Sequence, residues 1–235
     1  MSEPTELDDF GEGDEATGSE SGVGADPTTA AASDAYDHLR GTDLAPLVEE
    51  YGELSLSTRG DLFERLVVSI VRQLISTEQA DRIVADLRER YEITPATMLD
   101  ADEGDLRKLG LSGQKIEYIH NAARWWREHD PDRETFETMS DGAVVGYLTE
   151  ISGVGDWTAN MVLMLGLERP DVFPVGDYAL RKGVERLVAD GAELTKAEIR
   201  EAAEPWAPFR SYATLYVWWW YVDEELGVDP EELVL

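Results

Sequence analysis

LTEISGVGDWTANMVLMLGLERPDVFPVGDYALRKGV, residues Leu148–Val184, decides how this chain is read. Leu148, Ile151, Gly153, Val154 and Gly155 form a tight glycine hairpin between two helical runs. Trp157 to Leu167 follows as an apolar helix. After Pro174 one carboxylate, Asp177, stands at the head of the next helix. A Gly-x-Gly turn carries no Cβ at its tightest points, so its backbone amides can come close to a phosphate. The helix behind it points its positive end to the same place. The hairpin therefore reads as a nucleic-acid phosphate anchor and Asp177 as the chemical group it positions. On its own residues Asp177 has a second reading, as the N-cap of the helix that begins at Tyr178.

Working outward, the 235 residues are enough for one or two domains, and 43% of them are hydrophobic, enough for a sizeable core. No run of 18 apolar residues predicts a membrane span, and no cationic segment followed by an apolar one opens the chain as a secretion signal. The absence of cysteine excludes disulfides and any cysteine-held zinc or iron–sulfur cluster. His38, His120 and His129 lie at no metal-ligand spacing.

The formal charge of −30 is unusual for a chain that binds DNA, since such domains are normally basic. Ten of the acids fall in the first 36 residues, which contain no Lys or Arg, and the remainder still carries about −20. Arg outnumbers Lys, 16 to 4. This pattern resembles proteins of salt-accumulating prokaryotes, and the expected location is a high-salt cytoplasm, at the nucleoid. Salt removes the counterion-release contribution to DNA affinity. Stacking, packing and backbone hydrogen bonds must then carry more of the binding.

Residues 1–36 are rich in Gly, Ser, Thr, Glu and Asp and bury too little apolar surface to offset their ordering entropy, which predicts a disordered acidic tail. Ala35 to Tyr51 reads as a short helix. From Ser57 onward the apolar residues recur at helical spacing. Leu62, Phe63, Leu66, Val67, Ile70 and Val71 mark one helix over 61–73. Ser76 and Thr195 open capping boxes with Gln79 and Glu198. Leu106 to Trp126 holds a second, weaker glycine turn, Gly110 to Gly113. With no strand alternation, the predicted class is all-α, with about ten helices.

Three stretches carry a resemblance to a known family: VSIVRQLIST (Val68–Thr77), ISGVGDWTAN (Ile151–Asn160), and VFPVGDYALRKG with PWAPFRSYATLYVW after it. In this order and spacing they resemble the helix-hairpin-helix DNA glycosylases, most closely the alkylation-repair branch of the 3-methyladenine DNA glycosylase II type. The resemblance implies two helical lobes with a DNA-binding cleft between them, the first over about 59–170, the second from about 37–58 plus 171–235. It implies a monomer that acts on double-stranded DNA containing damaged bases, with no membrane partner. An enzyme of this kind extrudes the damaged nucleotide before cutting its glycosidic bond.

The resemblance also assigns roles. Asp177 matches the catalytic carboxylate, which would stabilise oxocarbenium character at the sugar and orient the attacking water. Trp157 and Trp218 match base-stacking tryptophans, whose faces attract a cationic base by ~1–2 kcal/mol. Met161 stands where some relatives carry an aromatic. Gln73 and Leu74 match the plug and the wedge. Gly153, Val154, Gly155 and Thr158 would contact DNA, and the backbone carbonyls of Thr149, Ile151 and Val154 would hold a Na+ or K+ bridging to phosphate; no other cofactor is implied. Relatives that also cut the strand use a lysine two residues after the second hairpin glycine, forming a Schiff base. Trp157 stands there, which implies a glycosylase without lyase activity that leaves an abasic site. Arg107, Lys108, Lys115, Arg124, Arg181 and Lys182 are candidates for a positive cleft face. Two other readings stay open: the same fold acting on uracil, hypoxanthine or a mismatched base, and a non-catalytic DNA-binding module in which Asp177 only caps its helix.

Overall fold

The computed structural model describes residues 27–56 and 60–227. They form thirteen α-helices and, among the described residues, no strand. The chain enters through α1 (Pro27–Leu39) and α2 (Ala45–Tyr51), then α3 (Leu62–Arg72), α4 (Thr77–Arg90), α5 (Pro95–Asp100), α6 (Glu103–Lys108) and α7 (Gly113–His129). Next come α8 (Arg133–Glu137), α9 (Asp141–Leu148) and α10 (Asp156–Met161), which runs into a π turn over Val162–Gly166. The set closes with α11 (Tyr178–Ala189), α12 (Lys196–Ala202) and α13 (Arg210–Leu226).

Side-chain caps fix the helix starts. Asp61, Ser76, Thr94, Asp102, Ser112, Asp132, Ser140 and Asp177 each accept the backbone N–H three residues on. Each cap satisfies an amide that would otherwise have no partner inside the helix. The box at Thr195 and Glu198 is reciprocal. At Ser76 the recorded bond is the forward one, from the Gln79 amide.

Two groups of helices share one continuous core. In the first, α7 packs on α3, α5 and α6, and α3 also meets α4, α10 and the π turn. In the second, α13 packs on α1, α2 and α11, with α12 behind α11. Nine of the eleven residues of α3 are buried, so its end is rigidly placed. Long-range bonds clamp the second group: the Trp206 indole donates to Asp43 at 2.7 Å and the Tyr216 hydroxyl to the Gly52 carbonyl at 2.7 Å. The loop leading to Asp177 is tied to α13 as well. Arg210 grips Asp171 with Nε and Nη2, each at 2.7 Å, and the Ser211 hydroxyl accepts the Val172 amide at 2.8 Å.

Three sequence expectations are corrected. The disordered acidic tail was expected to reach residue 36, but α1 begins at Pro27; residues 1–26 lie outside the described residues. The average composition of the tail hid a local run, PTTAAASDAYDHL, with a proline suited to the first turn and three consecutive alanines. Ala32, Ala35 and Leu39 of that helix are buried. The single helix expected over 35–51 is two, separated by a turn at 40–44 that Thr42 ties to Leu39. The helix expected over 157–167 widens after Met161, where the Leu167 amide reaches the Val162 carbonyl five residues back at 2.8 Å. Gly166 there lies hard against Leu62 and Arg65 of α3, so helix packing accompanies a change that apolar spacing does not encode.

Candidate active site in the interlobe cleft

The hairpin is built from backbone and held from two sides. Thr149 ends α9, the Val154 amide donates to the Ile151 carbonyl at 2.9 Å, and Gly155 opens α10. Gly153 takes φ +101°, and a Cβ there would stand 2.1 Å from the Tyr118 ring. Asn121 of α7 donates to the Ser152 carbonyl at 3.2 Å. From the end of α3, Gln73 Nε2 donates to the Gly153 carbonyl at 3.0 Å and to the Thr158 hydroxyl at 2.9 Å. The expected plug residue is therefore also a strut between α3 and the hairpin. Leu74, next to it, has φ +55° and is fully exposed; it is not a buried residue at the helix end. Leu74→Ala should leave stability within about 0.5 kcal/mol, since the side chain packs on nothing. Excision from duplex DNA should fall at least tenfold relative to a single strand, as read from parallel single-turnover rates.

A cavity of about 930 Å³ opens at this point, within the usual range for a small-molecule pocket. It is lined by Gln73 and Leu74, by Gly153 and Gly155, by Trp157, Thr158 and Met161, and by Asp177 and Trp218. Residues from four separate stretches thus meet at one wall-to-wall space. Val154, Thr149 and Ile151 are not on that lining. Val154 and Ile151 are buried, and Thr149 bonds through its hydroxyl to the Val145 and Gly146 carbonyls.

Asp177 is held by three donors. Oδ1 accepts the Leu180 amide at 2.8 Å and the Trp218 indole N–H at 2.9 Å; Oδ2 accepts the Trp157 indole N–H at 2.8 Å. The cap and the cleft carboxylate are one group, and the two tryptophans fix its plane. Both carboxylate oxygens thus have donors, and the group is fixed at the cavity wall. The sequence signals gave the position of Asp177 and both tryptophans but not this bonding. It depends on α13 approaching α10 and α11 in space, which no local spacing records.

The positive face is not the expected one. Of six candidate cations, Lys115 alone lines the cavity. Lys108 and Lys182 pair with Asp105 and Glu185, Arg107 pairs with Glu103, and Arg124 bonds Asn121. Arg65 and Arg72, both on α3, line the cavity instead. Burial pushes the Lys115 ammonium down to about 8 from its usual 10.5, while Nζ donates to the Val71 carbonyl. Because this folded value is depressed, the side chain is charged below pH 8 and neutral above it, and only the charged form attracts a phosphate. DNA affinity should therefore weaken between about pH 7 and pH 9. The slope of log affinity against log salt should lose up to about 0.9, the share of one phosphate contact. Lys115→Met should show the shallower slope at both pH values.

Taken together, the glycine hairpin, the carboxylate on the neighbouring helix and the cleft between two helical groups define a helix-hairpin-helix protein of the base-excision type. Residues 67–208 match the HhH-GPD superfamily of base excision DNA repair proteins, and the chain belongs to that family. DNA-3-methyladenine glycosylase 1 of Schizosaccharomyces pombe is 29% identical over 191 residues, spanning 77% of this chain and 84% of the relative. DNA-3-methyladenine glycosylase 2 of Escherichia coli K12 is 30% identical over 182 residues, 70% of this chain and 60% of the relative. The solved structure of the Schizosaccharomyces pombe 3-methyladenine DNA glycosylase Mag1 in complex with abasic DNA is similar with a TM-score of 0.72 at 28% identity, covering 79% of this chain and 95% of that one.

Among the described residues no cluster of three or more His, Cys, Asp or Glu could hold a metal ion. No helix among them is long and apolar enough to cross a membrane.

Proposed function

We propose that this protein is a DNA N-glycosylase of base excision repair that extrudes and removes alkylated purines such as 3-methyladenine, leaving an abasic site without cutting the strand. The observation that carries this reading is the carboxylate of Asp177, triply held at the wall of a cavity of about 930 Å³. A relative with the same hairpin fold is named for 3-methyladenine and was solved on abasic DNA, which supports the substrate class.

In the proposed reaction the hairpin amides hold the DNA backbone, Leu74 fills the vacated space, and the extruded base enters between Trp157, Met161 and Trp218. Asp177 faces the sugar. As the glycosidic bond breaks, its electrons leave with the base and positive charge grows at C1′ and the ring oxygen. The fixed carboxylate stabilises that charge without having to reorient, and it receives a proton from the water that attacks C1′. An alkylated purine leaves readily because it is already cationic. Trp157 supplies no amine, so no Schiff base with the sugar forms at its position. A monovalent cation fits the hairpin chemically: the carbonyls of Thr149 and Val154 take no backbone bond among the described residues, and that of Ile151 takes only the Val154 amide. Bound there, it would add a positive charge toward phosphate.

The test uses oligonucleotides each carrying one defined lesion. The expected result is strand breakage at the alkylated purine only after alkali, with no borohydride-trapped protein–DNA adduct. Breakage without alkali would refute the absence of lyase activity, and no breakage at any lesion would refute the glycosylase itself. The acidic surface, −30 overall, further supports a protein that works in concentrated salt. Excision should persist in ~2 M KCl; loss of fold or activity as salt rises would contradict this.

A further inference from the structure

Arg65 is the one residue of α3 whose charge has no evident use. Its side chain is 2% exposed, and neither Nε nor Nη2 has a hydrogen-bond partner. The neighbouring guanidiniums each hold a carboxylate, which Arg65 does not: Arg88 donates to Glu64 at 2.7 Å and Arg72 to Asp81. Burial and the like charges of Arg72 and Arg88 push Arg65 down to about 10, which still leaves it charged at neutral pH. An unpaired buried charge is among the costliest features a fold can keep, and it calls for a partner that arrives later.

The cavity offers the place for that partner, because Arg65 lines it. Trp157, Met161 and Leu165 follow one another along the wall at one-turn intervals, and Trp157 touches Asp177. The Arg65 stem lies against Gly166, beside Leu165. The Arg65 stem therefore meets this row at its Leu165 end, the end away from Trp157 and Asp177. A purine entered lengthwise, sugar toward Asp177, presents its six-membered-ring edge to that end.

A guanidinium has donors only. A guanine-type base carries an acceptor oxygen at position 6, whereas an adenine-type base carries an amino donor there. We propose that Arg65 is a specificity-determining residue that hydrogen-bonds the six-position oxygen of the extruded base, so that keto-purines are favoured over amino-purines. This rests on the glycosylase reading above and narrows its substrate class. A rotation of the guanidinium about its terminal bonds turns the unpartnered donors toward the base as it enters.

The experiment uses DNA methylated with a labelled methyl donor, in which 7-methylguanine and 3-methyladenine are released from the same substrate and counted separately. In Arg65→Met the ratio of excision rates, 7-methylguanine to 3-methyladenine, should fall by about five- to a hundredfold, the usual discrimination of a good arginine–base contact. Arg65→Lys, which keeps a donor, should fall between this and the wild type. An unchanged ratio in Arg65→Met overturns the proposal. Wild-type protein that releases 3-methyladenine but no 7-methylguanine overturns it while leaving the glycosylase intact. Release of neither base overturns both. Should Arg65→Met fail to fold, the wild type still decides: free hypoxanthine should inhibit excision at least fivefold more strongly than free adenine, and equal inhibition is the contrary result.

Discussion

Asp177→Asn is expected to lower the excision rate by about 10²–10³-fold, the usual loss when one preorganised electrostatic group is removed from an active site. The substitution keeps the shape and removes the charge. Asn caps a helix nearly as well as Asp, so the Leu180 amide keeps its acceptor. The loss is not purely electrostatic, however. Asp177 accepts two indole N–H groups through different oxygens, and one of these oxygens becomes an NH₂ in the variant. With Oδ1 retained toward Leu180 and Trp218, the new amide faces the Trp157 N–H, donor against donor. That mismatch costs about 1–3 kcal/mol when the donor is sealed from water. Trp157 borders the open cavity, so the lower figure applies. The expected outcome is a folded variant, slightly less stable in urea unfolding, with single-turnover excision reduced by at least a hundredfold. Near-normal excision by that folded variant would leave Asp177 as a cap and nothing more.

Gly153→Ala is expected to be the most damaging small substitution in the hairpin. A Cβ at this position would lie 2.1 Å from one Tyr118 ring atom and 2.2 Å from another. The φ of +101° adds backbone strain that an L side chain rarely tolerates. Swinging the Tyr118 ring away would not relieve the clash, because its Cβ, fixed by the α7 backbone, would still lie 2.7 Å away. The hairpin must open instead, and with it go the Gln73 bond to the Gly153 carbonyl and the register of the amides that would face phosphate. A loss of about 2–4 kcal/mol in stability is expected, in the range of backbone and overpacking defects. DNA affinity should fall at least tenfold. Gly155→Ala is the control, since nothing stands within 4 Å of its added Cβ and its backbone is extended. It should fold normally, and any effect on DNA should be confined to binding.

Much of this site was legible because its chemistry is local in sequence. A Gly-x-Gly turn between helical runs and an Asp after Pro-Val-Gly are each decided within a few residues, and the structure brings both to one cavity. The exposed Leu74 was legible only through resemblance, since apolar spacing alone leaves it as a helix-end contact. Other features depend on the approach of distant segments. The indole of Trp218 reaches Asp177 across 41 residues, and within WWW (Trp218–Trp220) only the family resemblance, not the spacing, singles out that ring. Arg65 breaks the apolar pattern of LFERLVVSIVR and, with Ser69 and Arg72, forms a polar row at helical spacing. That row was the available signal, but a polar row on a helix usually faces water. Three of the six basic candidates read from the sequence failed for a local reason instead: Arg107, Lys108 and Lys182 each find a carboxylate within a turn. The start of α1 was missed because averaging over an acidic segment conceals a short alanine-rich one.

The central claim is that the Asp177 carboxylate faces the anomeric carbon of an extruded nucleotide. The most direct measurement is binding to two duplexes that differ at one position: a neutral tetrahydrofuran abasic analogue, and an otherwise similar ring with a protonated nitrogen in place of the anomeric carbon. The wild type is expected to bind the cationic analogue at least 100-fold more tightly, with most of that preference lost in Asp177→Asn. Equal affinity of the wild type for the two duplexes would contradict the account.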